Sequence, residues 1–265
     1  MKEYNKMHVG ETFTSSEGYE VVVTGAGSKK NFVLVSIDGV DGYEVQYVNV
    51  VSGAIKNPYR PSVYGVGYFG VGSHKSRDEN GSALKYRIWV NIIRRCYDPS
   101  YSRDHPTFEG AIACDEWHNF QNFGDWYDKQ YKLPGWQLSK DLLNSTNSSY
   151  SPDTCAIIPS RLRLFLIGVR KKRGELPVGV VKSGKKFLAM GSDPFTGKRE
   201  ILGKFLTVEP ADLEHHRNKE QIMRDWTSLL RYDLGADHRI VKGMESLLKD
   251  YTKEIHDLEA IIESG

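Results

Sequence analysis

The stretch that decides the fold reads GWQLSKDLLNSTNSSYSPDTCAIIP and runs from residue 135 to residue 159. Two apolar runs flank a segment rich in serine and asparagine, which predicts a strand at 138–143, a turn at 144–149 and a strand at 150–158. Pro159 and Ser160 come next, and proline is favoured in the first turn of a helix, where its missing N–H is not needed. The stretch therefore predicts a hairpin followed by a helix.

Three motifs follow one another along the chain, two of them before this unit and the third inside it. They are IWVNIIRRCY at 88–97, CDEWHNFQNFGDWY at 114–127 and YSPDTC at 150–155. With these elements in this order, the run from residue 86 to residue 159 resembles the HNH-type homing endonucleases of tailed bacteriophages. The resemblance implies a ββα-metal core that hydrolyses phosphodiester bonds in double-stranded DNA, a reaction that needs a divalent metal and a base to activate water.

The resemblance also implies roles for individual residues. Asp141 is the strongest metal-ligand candidate, and Asn147 would order the hairpin loop or the scissile phosphate. Asp153 would be a second metal ligand, a supporting group or the base. His118 is another candidate for the base because imidazole has a suitable acidity. Mg²⁺ or Mn²⁺ suits such oxygen ligands better than zinc does.

The chain departs from the family pattern at three positions of this unit. Ser139 stands where the family has an aspartate, Lys140 where the best-known members have the general-base histidine, and Thr146 where a glycine precedes the asparagine. These departures favour an alternative function, a catalytically inactive HNH-like protein that binds DNA for regulation or for interference with the host. Whether the chain is an enzyme therefore stays open at this point.

The three cysteines and one histidine allow a second kind of metal site. Cys96, Cys114 and Cys155 fall in the three motifs and could form a zinc site with His118. Free cysteines are more often small buried apolar residues, and none of the three belongs to a Cys-x-x-Cys pair. Zinc is therefore the less favoured metal, and a polar residue at a helix start is the plainer interpretation of His118.

The net charge of +2 hides a marked asymmetry along the chain. Residues 161–204 contain twelve basic and three acidic residues, whereas residues 205–265 contain eight basic and thirteen acidic ones. A basic band of this kind is typical of a protein that docks on a phosphate backbone, although such bands are also found on ordinary solvated surfaces.

The basic band contains a second motif, LPVGVVKSGKKFLAMGSDPFTGKREILGKFLTVE at 176–209. Its pattern predicts strands at 178–182, 185–190 and 198–205, with turns at 183–184 and 193–197 and a helical segment from 209. It resembles the APETALA2-type DNA-binding domain, in which a three-stranded sheet lies in the major groove and a helix packs behind it.

Strand periodicity suggests which cations of this motif would share a face and contact DNA. These are Lys182, Lys186, Lys198 and Arg199. Arg94 and Arg95, at the end of an earlier predicted helix, are candidates for a phosphate clamp, with favourable contact to the helix dipole as the plainer alternative.

The N-terminal 60 residues have the pattern of another module. The β-branched runs at 19–24, 31–37 and 43–51, separated by glycine turns, predict a small Src-homology-3-like β-barrel. Residues 58–72 are a linker rich in glycine, proline and aromatic residues that is expected to pack on the core, and residues 73–81 read as a polar loop. Five aromatic residues are expected to be core residues, namely Trp89, Trp117, Phe120, Phe123 and Trp126.

The pattern of residues 210–232 and 236–262 predicts two amphipathic helices. Their apolar stripe indicates that these helices pack in the core, and a homodimer through them is the alternative.

No membrane-spanning or signal segment is evident, so the expected location is the cytosol of an infected bacterium. The sequence thus predicts an α+β chain of three domains: a barrel at 1–60, an HNH-like core at 61–170 and a DNA-binding sheet with C-terminal helices at 171–265. The favoured function is metal-dependent cleavage of double-stranded DNA.

Overall fold

The computed structural model describes residues 8–140, 142–143, 148–168, 176–193 and 196–264. Backbone contacts divide the chain into two compact units, residues 1–127 and residues 128–265. Each unit contains both helices and small sheets, so the predicted α+β class is confirmed. Within the described ranges, no helix is both long enough and apolar enough to cross a bilayer. The three-domain boundaries at residues 60 and 170 stay a prediction.

The first unit is built from short strands followed by helices. Its elements are β1 (Thr12–Thr14), β2 (Glu20–Ala26), β3 (Phe32–Ile37), β4 (Val40–Gln46), α1 (Tyr47–Val51), β5 (Arg77–Asp78), β6 (Gly81–Ser82), α2 (Leu84–Tyr97), α3 (Pro99–Asp104), β7 (Ile112–Ala113) and α4 (Phe120–Lys129), with 3-10 turns at Pro106–Phe108 and Asp115–His118.

Strands β1 to β4 pair antiparallel in sequence order. Val21 and Val23 of β2 and Val33 and Val35 of β3 are buried, as expected for alternate residues on the inner face of a sheet. The β3–β4 turn is Asp38-Gly39, and both residues have positive φ (48° and 79°), which is the geometry of a tight type I′ hairpin. The predicted turn at this position is confirmed.

The predicted N-terminal barrel is wrong in one respect, because the four strands form an open sheet. Strands β1 and β4 are the two edges, and the described residues contain no closed barrel. The strand predicted at 43–51 ends at Gln46, and α1 follows it with Val50 only 1% exposed against the sheet. A helix therefore fills the core where the same strand was expected to continue.

The aromatic residues of α2 and α4 form the core of the rest of this unit. Trp89, Phe120 and Phe123 are fully buried, and Trp117 is 1% exposed. The indole N–H of Trp89 donates a hydrogen bond of 2.7 Å to the carbonyl of Trp117. Ring contacts between these residues, with centroids about 5 Å apart, complete the cluster. Their predicted role as core residues is confirmed.

The linker at 58–72 packs on this core as predicted. The Tyr68 N–H donates to the carbonyl of His118 (2.8 Å), and the Phe120 N–H donates to the carbonyl of Tyr68 (3.0 Å). The two bonds form a short bridge between the linker and the start of α4.

In its described residues, the second unit has a two-stranded sheet, a three-stranded sheet and three α-helices. Its elements are β8 (Trp136–Ser139), β9 (Ser149–Tyr150), β10 (Ala156–Pro159), α5 (Ser160–Gly168), β11 (Val180–Ser183), β12 (Lys186–Ser192), β13 (Arg199–Phe205), α6 (Val208–Ser228) and α7 (His238–Ser264), with a π-helical turn at Leu229–Asp233. Strands β8 and β10 pair antiparallel, with Ser139 opposite Ala156, and α5 follows directly. The predicted order of two strands and a helix is confirmed, but the bounds differ: β8 spans 136–139 where a strand at 138–143 was predicted, and β10 spans 156–159 where a strand at 150–158 was predicted.

A single apolar core joins this hairpin to the C-terminal helices. Leu142, Ile158 and Leu162 lie in one buried cluster with Trp226 of α6 and Met244 of α7. The apolar stripe of α7 is thus buried against its own chain, which confirms that it is core. The homodimer through these helices stays a prediction.

Candidate nucleic-acid interface

The sheet β11-β12-β13 has one face covered by α6. Val180 of β11, Ala189 of β12 and Ala211 of α6 form a buried cluster between sheet and helix. Gly191 also belongs to this face, because a Cβ there would lie 3.1 Å from the Asn218 side chain of α6. Since neighbours along a strand point to opposite sides, the remaining residues define an open face.

The centre of the open face is apolar. Val181 pairs with Leu188, which also pairs with Lys204, and Met190 pairs with Ile201. Directly paired residues point to the same side of a sheet. Val181 and Ile201 are 49% and 53% exposed. Apolar side chains therefore lie together on a surface that no described residue covers.

Cations lie at both ends of this apolar centre. Lys186 pairs with Ser183 at one end of β12, and Arg199 pairs with Ser192 at the other end. Lys204 lies beside Leu188, and all three cations are exposed. Sequence reasoning missed Lys204, because a register shift beside Ala189 and Met190 changes which residues of β13 face outward.

The acidic side chain of these strands lies on the other face. Glu200 is the single acid in the three strand segments, and it pairs with Gly191, which faces α6. The open face of the strands is therefore positive, with cations around an apolar centre.

The expectation that four cations share this face is wrong for Lys182. Lys182 pairs with Phe187, whose ring packs on the cluster under α6, so the two residues point to the helix side of the sheet. Lys198 precedes β13 in an exposed turn, where its carbonyl accepts a hydrogen bond from the Asp193 N–H (2.9 Å). DNA contacts by either residue stay a prediction.

His215 of α6 contacts the middle strand, β12, from the helix side of the sheet. Its Nδ1–H donates to the carbonyl of Met190 (2.7 Å), next to the register shift. Gly179, with φ of +87°, approaches so closely that a Cβ there would overlap the imidazole ring. Burial is the main cause that lowers the pKa of His215 to about 4, and the nearby Lys219 ammonium lowers it further. The histidine is therefore neutral at pH 7.

The base candidate His118 lies in the first unit beside a tyrosine. Its Nε2 is 2.9 Å from the hydroxyl of Tyr97, and the two rings meet edge to face. The Asp115 carboxylate is 3.8 Å from Nδ1 and is fully exposed. Burial raises the pKa of Tyr97. His118 thus has a defined tyrosine partner, which fits the plainer interpretation, and its role as a base stays a prediction.

Arg94 and Arg95 contact their own unit. The Arg94 guanidinium bonds Asp98 (3.2 Å) and lies 5.0 Å from the centre of the Tyr101 ring. The Arg95 guanidinium lies 5.3 Å from the centre of the Phe108 ring. These contacts support the plainer interpretation, in which the arginines stabilise the end of α2. A phosphate clamp by either residue stays a prediction.

The structure describes part of the nuclease-like hairpin. Ser139 is buried at the end of β8, and the Lys140 ammonium lies 5.8 Å from the centre of the Tyr150 ring. Asp153 is exposed in a turn that Ser151 and Thr154 close with mutual hydrogen bonds. The ligand candidates Asp141 and Asn147 lie outside the described residues, as does Thr146.

Within the described ranges, no group of three or more histidine, cysteine, aspartate or glutamate side chains is placed to hold a metal ion. Of the zinc candidates, Cys155 is buried, as expected for a small core residue, and Cys96 and Cys114 are partly buried. Mg²⁺ or Mn²⁺ at Asp141 stays a prediction.

Sequence reasoning also missed a polar cluster around His74. Its Nε2 bonds Asp125 (2.9 Å), and its Nδ1 lies 3.1 Å from the Lys85 ammonium. The side chain of Gln121 bonds the backbone of His74, whose own side chain is only 9% exposed. The polar sequence of 73–81 gave no sign of this packing, because its partners lie on α2 and α4.

Comparison with known proteins found no match to this chain among family models, curated proteins or solved structures.

Proposed function

We propose that this chain binds duplex DNA through the open face of β11-β12-β13 and cuts it in a metal-dependent reaction, as phage HNH-type homing endonucleases do. The observation that carries the proposal is the charge arrangement of the open face. Lys186, Arg199 and Lys204 surround an apolar centre, while Glu200 pairs on the opposite face. Each phosphate neutralised by such a cation releases counterions, which favours binding at low salt.

The dimensions of the face suit the major groove. Six residue steps separate Lys186 from Ser192, the partner of Arg199, which corresponds to about 20 Å at about 3.3 Å per residue. The major groove is about 12 Å wide. Cations at the two ends of β12 can therefore reach both phosphate backbones while the centre of the sheet lies over the base pairs.

The cleavage half of the proposal depends on the hairpin. Its support is the motif resemblance together with the antiparallel β8–β10 pair that leads into α5. In this proposal Asp141 would hold Mg²⁺ or Mn²⁺, which when bound would supply charge stabilisation at the leaving oxygen. Asn147 would order the phosphate, and Asp153 or His118 would help to activate water.

A second candidate function, DNA binding without cleavage, has a specific observation in its favour. Lys140 places its ammonium near the Tyr150 ring, at the position where the best-known HNH enzymes have a general-base histidine, and a positive charge there repels a divalent cation. Ser139 is a buried hydroxyl in place of a metal-binding carboxylate. Both features weaken metal binding without affecting the sheet.

A binding experiment tests the shared half of the two functions. We expect fluorescence anisotropy with a 24-base-pair duplex to show affinity that falls with salt, with a slope of about 0.9 per phosphate contact on a log–log plot. The changes Lys186→Glu, Arg199→Glu and Lys204→Glu should each lower the affinity and the slope. Lys182→Glu is the matched control, because it makes the same charge change on the helix side. Equal losses from all four variants would contradict the proposed face, and no binding at low salt would contradict both functions.

A nicking assay separates the two functions. Supercoiled plasmid and phage DNA are incubated with the full chain and Mg²⁺ or Mn²⁺, with EDTA as the control. Metal-dependent nicking selects the endonuclease. Tight binding without nicking under either metal selects the silent binder.

A further inference from the structure

The apolar centre of the open face has no obvious role in contacting phosphates. Val181, Leu188, Met190 and Ile201 form two adjacent pairs across the three strands. Val181 and Ile201 each expose about half of their surface. Exposed apolar side chains that cluster rather than scatter indicate a binding surface.

The ring of cations decides what kind of partner fits this centre. Lys186, Arg199 and Lys204 lie on the same face, and the acid of these strands lies on the other. A polyanion satisfies the cations, whereas an apolar partner such as a second copy of this sheet would bring like charges together. The face therefore fits a polyanion that also offers an apolar group.

In the major groove of DNA, the base edges offer hydrogen-bond donors and acceptors and one apolar group, the C5-methyl of thymine. Val181, Leu188 and Ile201 have no side-chain hydrogen-bonding group that could read the other edges, and the thioether sulfur of Met190 is only a weak acceptor. We infer that this apolar centre selects DNA by contact with pyrimidine C5-methyl groups, chiefly those of thymine. The inference depends on the proposed DNA binding and names what the same face reads.

The two exposed side chains suit separate positions of a target. Val181 lies opposite Leu188, and Ile201 lies opposite Met190, two residues further along β12. Two residues of a strand span about 7 Å, and β11 and β13 lie about 10 Å apart on either side of β12, so the two side chains are about 12 Å apart. Since each base-pair step rises about 3.4 Å, Val181 and Ile201 can contact methyl groups about three to four steps apart.

The test changes the DNA before it changes the protein. Four 24-base-pair duplexes are compared: alternating dA·dT, the same duplex with deoxyuridine in place of thymidine, alternating dG·dC, and the same duplex with 5-methylcytosine. Each member of a pair has the same charge and differs only by the methyl group. Burying one methyl contributes about as much as burying one CH₂, which corresponds to about a fourfold change in affinity. We expect each methylated duplex to bind about fourfold tighter per contacted methyl, and more when two are contacted.

Val181→Thr and Ile201→Thr replace apolar contacts with β-branched side chains that suit a strand. Each should lower the ratio of the affinities for the dT and dU duplexes, and this ratio is the quantity that the variants are compared on. Lys186→Glu is the contrasting variant, and it should weaken binding to all four duplexes by the same factor. Circular dichroism checks that each variant is folded.

The possible results separate this inference from the function on which it depends. Binding to all duplexes without a preference for the methyl group would overturn the inference and leave the DNA-binding function in place. No binding to any duplex at low salt would overturn both. If sedimentation shows a dimer that Ile201→Thr dissociates while the preference for dT persists, the apolar centre is a protein interface and the inference is wrong.

Discussion

The buried histidine behind the DNA-facing sheet makes the stability of the second unit depend on pH. His215 is 7% exposed, its Nδ1–H donates to Met190, and its Nε2 has no partner among the described residues. Its ring faces Lys219, His216 and Asp212 of α6, and of these only Asp212 favours protonation. A second proton on the ring would place a charge and an unbonded donor in a buried site.

The sign of the effect follows from the pKa. The pKa of His215 falls from the ordinary 6.5 to about 4 in the folded state. The unfolded chain therefore binds a proton at a higher pH than the folded chain does. The stabilisation is fully present above pH 6.5 and is lost as the pH falls from 6.5 to about 4. At about 1.36 kcal/mol per unit, the loss is about 3 kcal/mol.

Amide hydrogen exchange measures this loss locally. In peptides that cover β12 and α6, a loss of about 3 kcal/mol corresponds to about a 100-fold drop in protection between pH 7 and pH 4, after correction for the intrinsic exchange rate. His215→Gln retains a donor for the Met190 carbonyl but does not titrate, so it is the matched control for the other groups of the unit. A His215 ring that titrates at or above pH 6.5 by NMR, or equal pH dependence in the control, would refute the reasoning.

Other changes test the hairpin and the sheet. Asp141→Ala should abolish metal-dependent cutting and leave DNA affinity largely intact, since a metal ligand acts on the transferred phosphate; retained cutting would exclude Asp141 as the ligand. If only the ligands are missing, Ser139→Asp together with Lys140→His should produce Mg²⁺-dependent nicking. Mg²⁺ should also raise the melting temperature of this variant, because the ion compensates the charge of a buried carboxylate. A folded variant that gains no nicking would count against the idea that only the ligands are missing. Gly179→Ala should lower the free energy of unfolding by about 2 kcal/mol or more, because alanine is strained at positive φ and its Cβ would overlap His215. Urea titration measures this loss, and an unchanged unfolding midpoint would contradict the close contact between Gly179 and His215.

Where the structure confirms the sequence, the signal was local. The Asp38-Gly39 turn follows from the two positive φ values that a type I′ hairpin requires, which these residue types tolerate. The turn between β11 and β12 is Gly184-Lys185, one residue later than the predicted 183–184, and Gly184 has the positive φ (+64°) that a two-residue hairpin turn requires. Each of these elements is decided by a few consecutive residues, so its pattern is visible in the chain.

Tertiary contacts decided the elements that were predicted wrongly. The run at 47–51 is rich in valine and has a strand-like pattern, yet it forms α1 because Val50 then fills the core of the open sheet. The loop around His74 is polar, yet the Gln121 side chain, 47 residues away in the sequence, hydrogen-bonds both the N–H and the carbonyl of His74. Local propensity is a weak guide when such contacts compete with it.

The composition of the candidate interface could not be derived from strand periodicity alone. Counting alternate residues requires knowing where each strand is regular, and the register between β12 and β13 shifts beside Met190. Beyond that shift, Lys204 joins the open face, while Lys182 falls on the helix face through its pairing with Phe187. The hydrogen bond from His215 lies at the same place, on the carbonyl of Met190, whose side chain belongs to the apolar centre. His215 of α6 thus hydrogen-bonds β12 beside the register shift, which is the position where the residues of β13 that face outward change.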